Sequence, residues 1–237
     1  MEEGKVSILI PAYNEEKRIV QFLDKMMIFT SKYLKNYEVL IINDGSQDNT
    51  VKVVLEKIKN HPNFQLFSYD KNKGKGHAVY IGVMKAKGNF ILFIDADGSI
   101  KPHEILRMVK MYQRYHYDII IGSRIFSTSN ITEPQPLSRR ILSKFFNFYS
   151  NLLFRIKIND LLCGFKGFSR DAAQLIFNEL KAFRWEFDVE ILYRARKHQL
   201  KTFQMPIEWK HTEGSKIKPL DPLLILLNLI ILRLRYL

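Results

Sequence analysis

Cysteine is nearly absent from this chain: Cys163 is the only one in 237 residues. An intrachain disulfide is therefore impossible, and a reducing setting is favoured. Acidic residues are scarce beside basic ones, 24 against 37, which leaves a net charge of +13. Such an excess implies an anionic partner: nucleic acid, a phosphorylated substrate or an acidic lipid surface. Long hydrophobic runs are lacking too, since no uninterrupted apolar stretch reaches the ~20 residues that span a bilayer. The nearest approach, Leu223–Leu232, is cut short by Arg233 and Arg235. A strand pattern beginning at Lys5 leaves no room for a signal peptide. There is no internal repeat and no low-complexity tract, which excludes repeat arrays. The expectation is a soluble or peripheral protein, long enough for one sizeable α/β domain or two small ones.

What is present is a regular alternation over the first 125 residues. Short, nearly continuous apolar runs at Val6–Ile10, Tyr37–Ile42, Phe64–Tyr69, Phe90–Ile94 and Asp118–Ile121 read as strands buried on both faces of a parallel sheet. Helical stretches lie between them, at Glu16–Phe29, Thr50–Lys59, His77–Lys87 and Pro102–Tyr115. The pattern predicts an open, doubly wound α/β sheet, which binds ligands beyond the carboxyl ends of its strands. After Pro134 and Pro136 the alternation stops. Leu137–Lys157 is aromatic and basic without a single acid; a polar segment at Asn159–Asp171, a helix through Trp185–His198, a strand at Thr202–Trp209 and an apolar tail follow.

Four segments sit where such a sheet places its ligand. Pro11, Tyr13, Asn14 and Glu15 follow the first strand, and Asp44-Gly45-Ser46 ends the second. An aromatic ring can stack on a base and a carboxylate can accept a base N–H. Each segment alone reads equally as a turn, with Asn14 capping a helix. Lys73-Gly74-Lys75-Gly76 opens a helix after the third strand, as suits a phosphate, but it matches neither a Walker A loop nor a dinucleotide fingerprint. Asp95-Ala96-Asp97 is the sharpest feature. Side chains two apart on extended chain point the same way, and two such carboxylates call for a cation. A hard divalent ion, Mg²⁺ or Mn²⁺, would bridge them to a diphosphate. His77 and His211 have no companion at ligand spacing, and Cys163 suits core packing.

Together these residues resemble family 2 glycosyltransferases of the GT-A fold. Asp95 and Asp97 match that family's metal motif; Pro11–Glu15 and Asp44–Ser46 match its nucleoside-binding strand ends, with Asn43 where an aspartate is usual. Three later segments resemble the dolichyl-phosphate β-glucosyltransferases: Asp160–Lys166, Arg184–Glu190 and Glu208–Lys216, with Arg233–Leu237 at the end. Eukaryotic members of that group carry an N-terminal membrane helix not seen here. Related polyprenyl-phosphate mannose synthases have a glutamine where this chain has Ser99. The resemblance implies a nucleotide-sugar donor, UDP-hexose or GDP-mannose, and a polyprenyl or dolichyl phosphate acceptor. The expected activity is inverting hexosyl transfer, with glucose from UDP-glucose as the first choice.

The residues support that acceptor. Arg124 follows the fifth strand, and Ser138, Arg139 and Arg140 open the aromatic-basic segment; guanidinium forks suit phosphate oxygens. An acceptor phosphate needs no strong general base. The expected catalytic set is thus Asp95, Asp97, Arg124 and Asp188, with Pro11, Tyr13, Glu15, Asp44, Lys73 and Lys75 at the nucleotide. Trp185, Glu190 and Lys166 are candidate sugar contacts. Asp188 and Glu190 read equally as a solvated helix face, and Trp185 and Trp209 as core. Segment 137–157 fits an interfacial helix, within a catalytic domain at 1–215, and 216–237 fits a membrane-associating tail. The expected location is the cytoplasmic face of a membrane, peripheral or monotopic, with membrane lipid as a partner; the oligomeric state is left open. Rival readings are a mannose or N-acetylglucosamine synthase, a family 2 transferase with a soluble saccharide acceptor, and a non-catalytic nucleotide- or nucleic-acid-binding protein. The last is disfavoured because the bases lie among aromatics and no nucleic-acid module is present.

Overall fold

A computed structural model of the chain describes residues 4–134, 136–212 and 221–236, the side chains of 221–223 excepted. The strands are β1 (Val6–Ala12), β2 (Tyr37–Asp44), β3 (Phe64–Tyr69), β4 (Phe90–Ile94), β5 (Ile119–Ser123), β6 (Asn130–Glu133), β7 (Phe165–Ser169), β8 (Thr202–Pro206) and β9 (Glu208–Lys210). The helices are α1 (Ile19–Tyr33), α2 (Thr50–Ile58), α3 (Lys75–Lys85), α4 (His103–Tyr115), α5 (Leu137–Phe154), α6 (Arg170–Phe177), α7 (Phe187–Lys197) and α8 (Asp221–Leu234).

The main sheet has the order β3-β2-β1-β4-β7-β5-β8. All its pairs are parallel except those of β7, which runs antiparallel between β4 and β5. The five early strands fall where the apolar runs predict. Ile8, Leu9, Ile10, Leu92 and Ile94 are fully buried, as expected for strands covered on both faces. One core, containing Leu9, Leu40, Phe93 and Ile121, also takes in residues of α3, α6, α7 and α8. The other, containing Ile8, Ile10, Leu92 and Ile120, takes in residues of α1, α2 and α4. The result is a doubly wound, mostly parallel α/β sheet, as the alternation predicts.

Strand β7 is the departure. It lies in the segment read as polar, and its second residue, Lys166, is completely buried. The charge is tolerated because Lys166 Nζ meets Asp188 Oδ1 at 2.5 Å and donates to the carbonyls of Leu161 and Cys163. Being antiparallel, β7 enters the sheet at the edge where β1, β2, β4 and β5 end. Residues 160–164 are thereby brought to the ligand edge. Asn14 also departs from its reading as a helix cap: it has a positive φ of 52°. Its side chain accepts from Gln47 N, its own N–H donates to Ser46 Oγ, and α1 begins later, at Ile19.

Helix α8 buries Ile225, Leu229 and Leu232 and exposes Leu224, Leu227, Ile231 and Leu234. It packs beside α5, and Arg233 Nε donates to Leu153 O. The 215/216 boundary and the Glu213–Lys216 part of the third motif lie outside the described residues. Among the described residues no helix is long and apolar enough to cross a membrane.

Candidate active site

A cavity of about 640 Å³ opens at the carboxyl edge of the sheet, lined by Pro11, Tyr13 and Glu15 after β1, Asp44 at the end of β2, and Asp95 and Asp97 after β4. Lys75, Arg124, Arg139, His211 and Thr212 add to its polar wall, and Trp185 lines it as well. An arm of about 200 Å³ shares Lys75, Asp95, Arg124, Arg139 and Trp185 with it and adds Leu142, Phe145, Phe146, Asp188 and Leu226.

The two aspartates of the β4 exit differ in surroundings. Asp95 backs onto Gly164, where an added Cβ would lie 1.8 Å from Asp95 Oδ2. Only glycine leaves room for that carboxylate. Lys75 Nζ pairs with Asp95 Oδ1 at 2.6 Å. Burial pushes the Asp95 carboxyl above its ordinary range, Lys75 opposes the rise and the like charge of Asp97 adds to it. Asp97 Oδ1 accepts from Ser99 N at 2.9 Å and its Oδ2 from the Thr212 hydroxyl at 3.1 Å. Two carboxylates two residues apart on one turn are the hard oxygen donors a divalent cation takes.

Asp44 is not poised to read a base in this structure. Its Oδ1 accepts from Tyr69 Oη and Lys73 N, and its Oδ2 from Asn72 Nδ2 and Gly74 N. Four bonds fill the acceptor capacity of a carboxylate, so Asp44 braces the loop that launches α3. Lys73 contributes its backbone to that brace and holds its ammonium 5.8 Å from the centre of the Tyr69 ring, outside the cavity lining, whereas Lys75 lies in the wall.

Arg124 reaches the cavity with two of its three guanidinium nitrogens committed. Nε and Nη2 grip Asp160 at 2.8 and 2.7 Å. The fork expected for a phosphate is closed on a carboxylate, and only the remaining edge faces ligand. Of the three residues opening α5, Arg139 lines the cavity, while Ser138 and Arg140 are exposed away from it. Lys166 and Glu190 are not in the lining. Lys166 is the buried partner of Asp188, and Glu190 accepts from the N–H groups of Lys181 and Ala182 and from Tyr236 Oη. Neither group is open to a sugar, and neither Asp188 nor Glu190 belongs to a solvated face. Cys163 is buried, and burial pushes its thiol up to about 12, which leaves it inert as a nucleophile.

Arg18, His211 and Thr212 are among the lining residues to which sequence reading gave no role. Arg18, in the turn before α1, lines the cavity and pairs with Glu15 at 2.5 Å; burial works against its charge, but Glu15 outweighs it and raises its pKa. His211 and Thr212 reach the wall because Ile100 bridges to Trp209 and Lys210 N donates to Ser99 O, contacts invisible in linear spacing. A separate group, His103, Glu104 and Glu208, lies outside the cavity lining. Its carboxylates are met by Arg107 at 2.7 Å and by Lys101.

Residues 7–177 match the family described as Glycosyl transferase family 2. The chain belongs to this family. The transferase is 35% identical over 90% of its length to a dolichyl-phosphate beta-glucosyltransferase of Dictyostelium discoideum, covering 69% of it. It is 32% identical to the dolichyl-phosphate beta-glucosyltransferase of Homo sapiens, covering 98% of this chain and 76% of that one. In structure it is similar to glucosyl-3-phosphoglycerate synthase from Mycobacterium tuberculosis in complex with UDP. The TM-score is 0.71 at 16% identity, over 98% of this transferase and 79% of that chain. The same synthase with Mn²⁺, UDP-glucose and phosphoglyceric acid gives a TM-score of 0.72 at 15% identity, over 97% and 79%. These neighbours share its GT-A fold.

Proposed function

We propose that this glycosyltransferase moves glucose from UDP-glucose to a dolichyl or other polyprenyl phosphate at a membrane surface. The observation that carries the reading is the join between a charged cavity and an apolar arm. Arg124, Arg139, Lys75 and Asp95 belong to both, and the arm continues along Leu142, Phe145, Phe146, Ile225 and Leu226. A phosphate with an isoprenoid tail has this same division, one anionic end and one apolar end. A soluble saccharide would leave the apolar arm without an occupant. The names of the relatives, which span nearly all of this chain, agree with that acceptor.

In this reading Tyr13 and Pro11 flank the nucleoside, and Asp95 and Asp97 would hold Mg²⁺ or Mn²⁺ at the donor diphosphate, with His211 in the same wall. The bound ion supplies Lewis-acid neutralisation of the leaving group. Arg139, with the open edge of Arg124, holds the acceptor phosphate. One phosphate oxygen forms a bond to the anomeric carbon as the bond from that carbon to the diphosphate breaks, with inversion, and UDP departs. The attacking oxygen is already anionic, so no side chain needs to remove a proton. Trp185 forms an apolar wall where the two cavities meet, suited to the face of a hexose.

The test is transfer of labelled glucose from UDP-glucose, with Mn²⁺, to a short-chain polyprenyl phosphate, in parallel with the free alcohol, soluble saccharides and GDP-mannose as donor. Product on the phosphate alone supports the reading. Equal transfer to a soluble saccharide, or transfer only from GDP-mannose, replaces it with one of its rivals.

A further inference from the structure

Lys75 and Asp95 form an ion pair inside a small charged lattice. Lys75 is the first residue of α3, and its backbone has little freedom. Gly74 before it has φ 102°, an added Cβ there would sit 2.4 Å from Phe183 O, and the N–H groups of residues 73 and 74 are bonded to Asp44. Any movement of the ammonium therefore comes from the side chain. That ammonium lies 5.6 Å from the centre of the Phe93 ring, and the buried ammonium of Lys166 lies 5.5 Å from the same ring. Lys166 is paired with Asp188, and Asp188, Asp95 and Lys75 all line the apolar arm. Asp188 spends Oδ1 on Lys166, and among the described residues its Oδ2 receives no hydrogen bond. Lys75 thus has a second carboxylate beside the one it holds.

From this arrangement we infer that Lys75 is a placeholder cation: it neutralises Asp95 in the donor-free enzyme and yields that carboxylate when the metal–nucleotide arrives, turning toward Asp188 or the donor diphosphate. The inference rests on the reading of Asp95 and Asp97 as metal ligands. An ammonium 2.6 Å from one oxygen of Asp95 and a divalent cation on the same carboxylate repel each other, so each weakens the hold of the other. Metal alone leaves Lys75 only Asp188, whose charge Lys166 already neutralises, whereas metal entering with a diphosphate brings the ammonium a new, unpaired anion. Metal and nucleotide then bind cooperatively, and Lys75 is a source of that coupling.

The experiment is a titration of Mn²⁺ without nucleotide, read from the loss of the free-ion EPR signal and repeated with UDP. The proteins are the wild type, Lys75→Gln, Lys75→Met, Asp95→Asn and, as a control outside the cavity, Lys73→Met. The Lys75→Gln variant keeps a hydrogen-bond donor for Asp95 while removing the charge, so the half-buried carboxylate is not orphaned. Both Lys75 variants are expected to bind Mn²⁺ alone more tightly, by a factor in the usual range of such couplings, about 5- to 150-fold. UDP should enhance Mn²⁺ binding less in them than in the wild type, and Lys73→Met should match the wild type. If the Lys75 variants bind Mn²⁺ no more tightly than wild type while Asp95→Asn loses it, the placeholder role is overturned and the metal reading stands. If Asp95→Asn binds Mn²⁺ as the wild type does, the metal reading itself falls.

Discussion

Arg124 and Asp160 meet as a closed fork, with Nε and Nη2 on the two carboxylate oxygens at 2.8 and 2.7 Å and the Arg124 backbone N–H on Oδ2 at 2.9 Å. The pair joins the end of β5 to the loop before β7. Burial works against the charge on Asp160, but Arg124 outweighs it and holds the carboxyl below its ordinary range. Removing one partner of a buried pair leaves the other uncompensated, which costs roughly 3–5 kcal/mol. Asp160→Asn should lower stability by that order in urea denaturation. A carboxyl depressed by folding contributes its stability above its unfolded pKa and loses it as pH falls through the folded one. The wild-type advantage over Asp160→Asn should therefore be full near neutrality and shrink in acid. A constant difference across that range would show that the pair's charge is not its contribution.

Asp97 should matter for catalysis and little for folding. Its two bonds, to Ser99 N and Thr212 Oγ1, are at the surface of the cavity. Asp97→Ala should reduce turnover on the order of 10²–10³-fold, the usual effect of losing one preorganised electrostatic partner. Its thermal midpoint should stay close to that of the wild type. Chelation by EDTA should act alike, with recovery on adding Mn²⁺ or Mg²⁺. Full turnover in EDTA would remove the metal from the reaction.

The arginines that open α5 should separate. Arg139 lines both the cavity and its apolar arm, whereas Arg140 is exposed outside them. Arg139→Ala should raise the acceptor KM or lower kcat and leave UDP-glucose affinity unchanged, because a phosphate-facing guanidinium is lost. Arg140→Ala should have a smaller effect, confined to weaker attraction to anionic lipid. Loss of donor binding in Arg139→Ala would assign that arginine to the donor instead.

What the sequence made legible follows from how each residue finds its partner. Strands β1 to β5 declare themselves through nearly continuous apolar runs, most fully in β4, which is buried on both faces; the edge strand β3 is half exposed. Asp95 and Asp97 were readable for the same reason: they stand directly after such a run. Strand β7 was not, because Lys166 within it looks polar until Asp188, 22 residues later, is known to neutralise it. Asp44 stands at a strand end, as read, but its bonds to Tyr69 at the end of β3 and to Asn72 in the loop after it were not readable from spacing. His211 and Thr212 join the site only through the bridge between Ile100 and Trp209. Position along the sheet was local information, and pairing was not.

The final prediction concerns the apolar surface made by α5 and α8. A polyprenyl phosphate keeps its phosphate at headgroup depth, so an enzyme that uses it must bring the apolar arm to the bilayer. Along α5, Phe145, Phe148 and Leu152 are 51%, 67% and 67% exposed, but Phe146 is only 7% exposed and packs in the core. Phe146→Ser would report on folding and is the wrong probe. Leu224, Leu227, Ile231 and Leu234 of α8 are exposed as well, and Arg139, Arg140 and Lys144 accompany the α5 face. Each base near an anionic leaflet adds attraction of about 1 kcal/mol, and the effect fades as salt shortens the screening length. The purified protein should co-sediment with phosphatidylserine-containing vesicles more than with neutral ones, and less as salt rises. Replacing Phe145, Phe148 and Leu152 with Ser should weaken that binding and depress transfer to a long-chain lipid acceptor more than to a short-chain one, with the thermal midpoint little changed. If wild type stays in the supernatant at low salt, or the triple variant transfers to long-chain lipid as wild type does, α5 is not the membrane-facing helix.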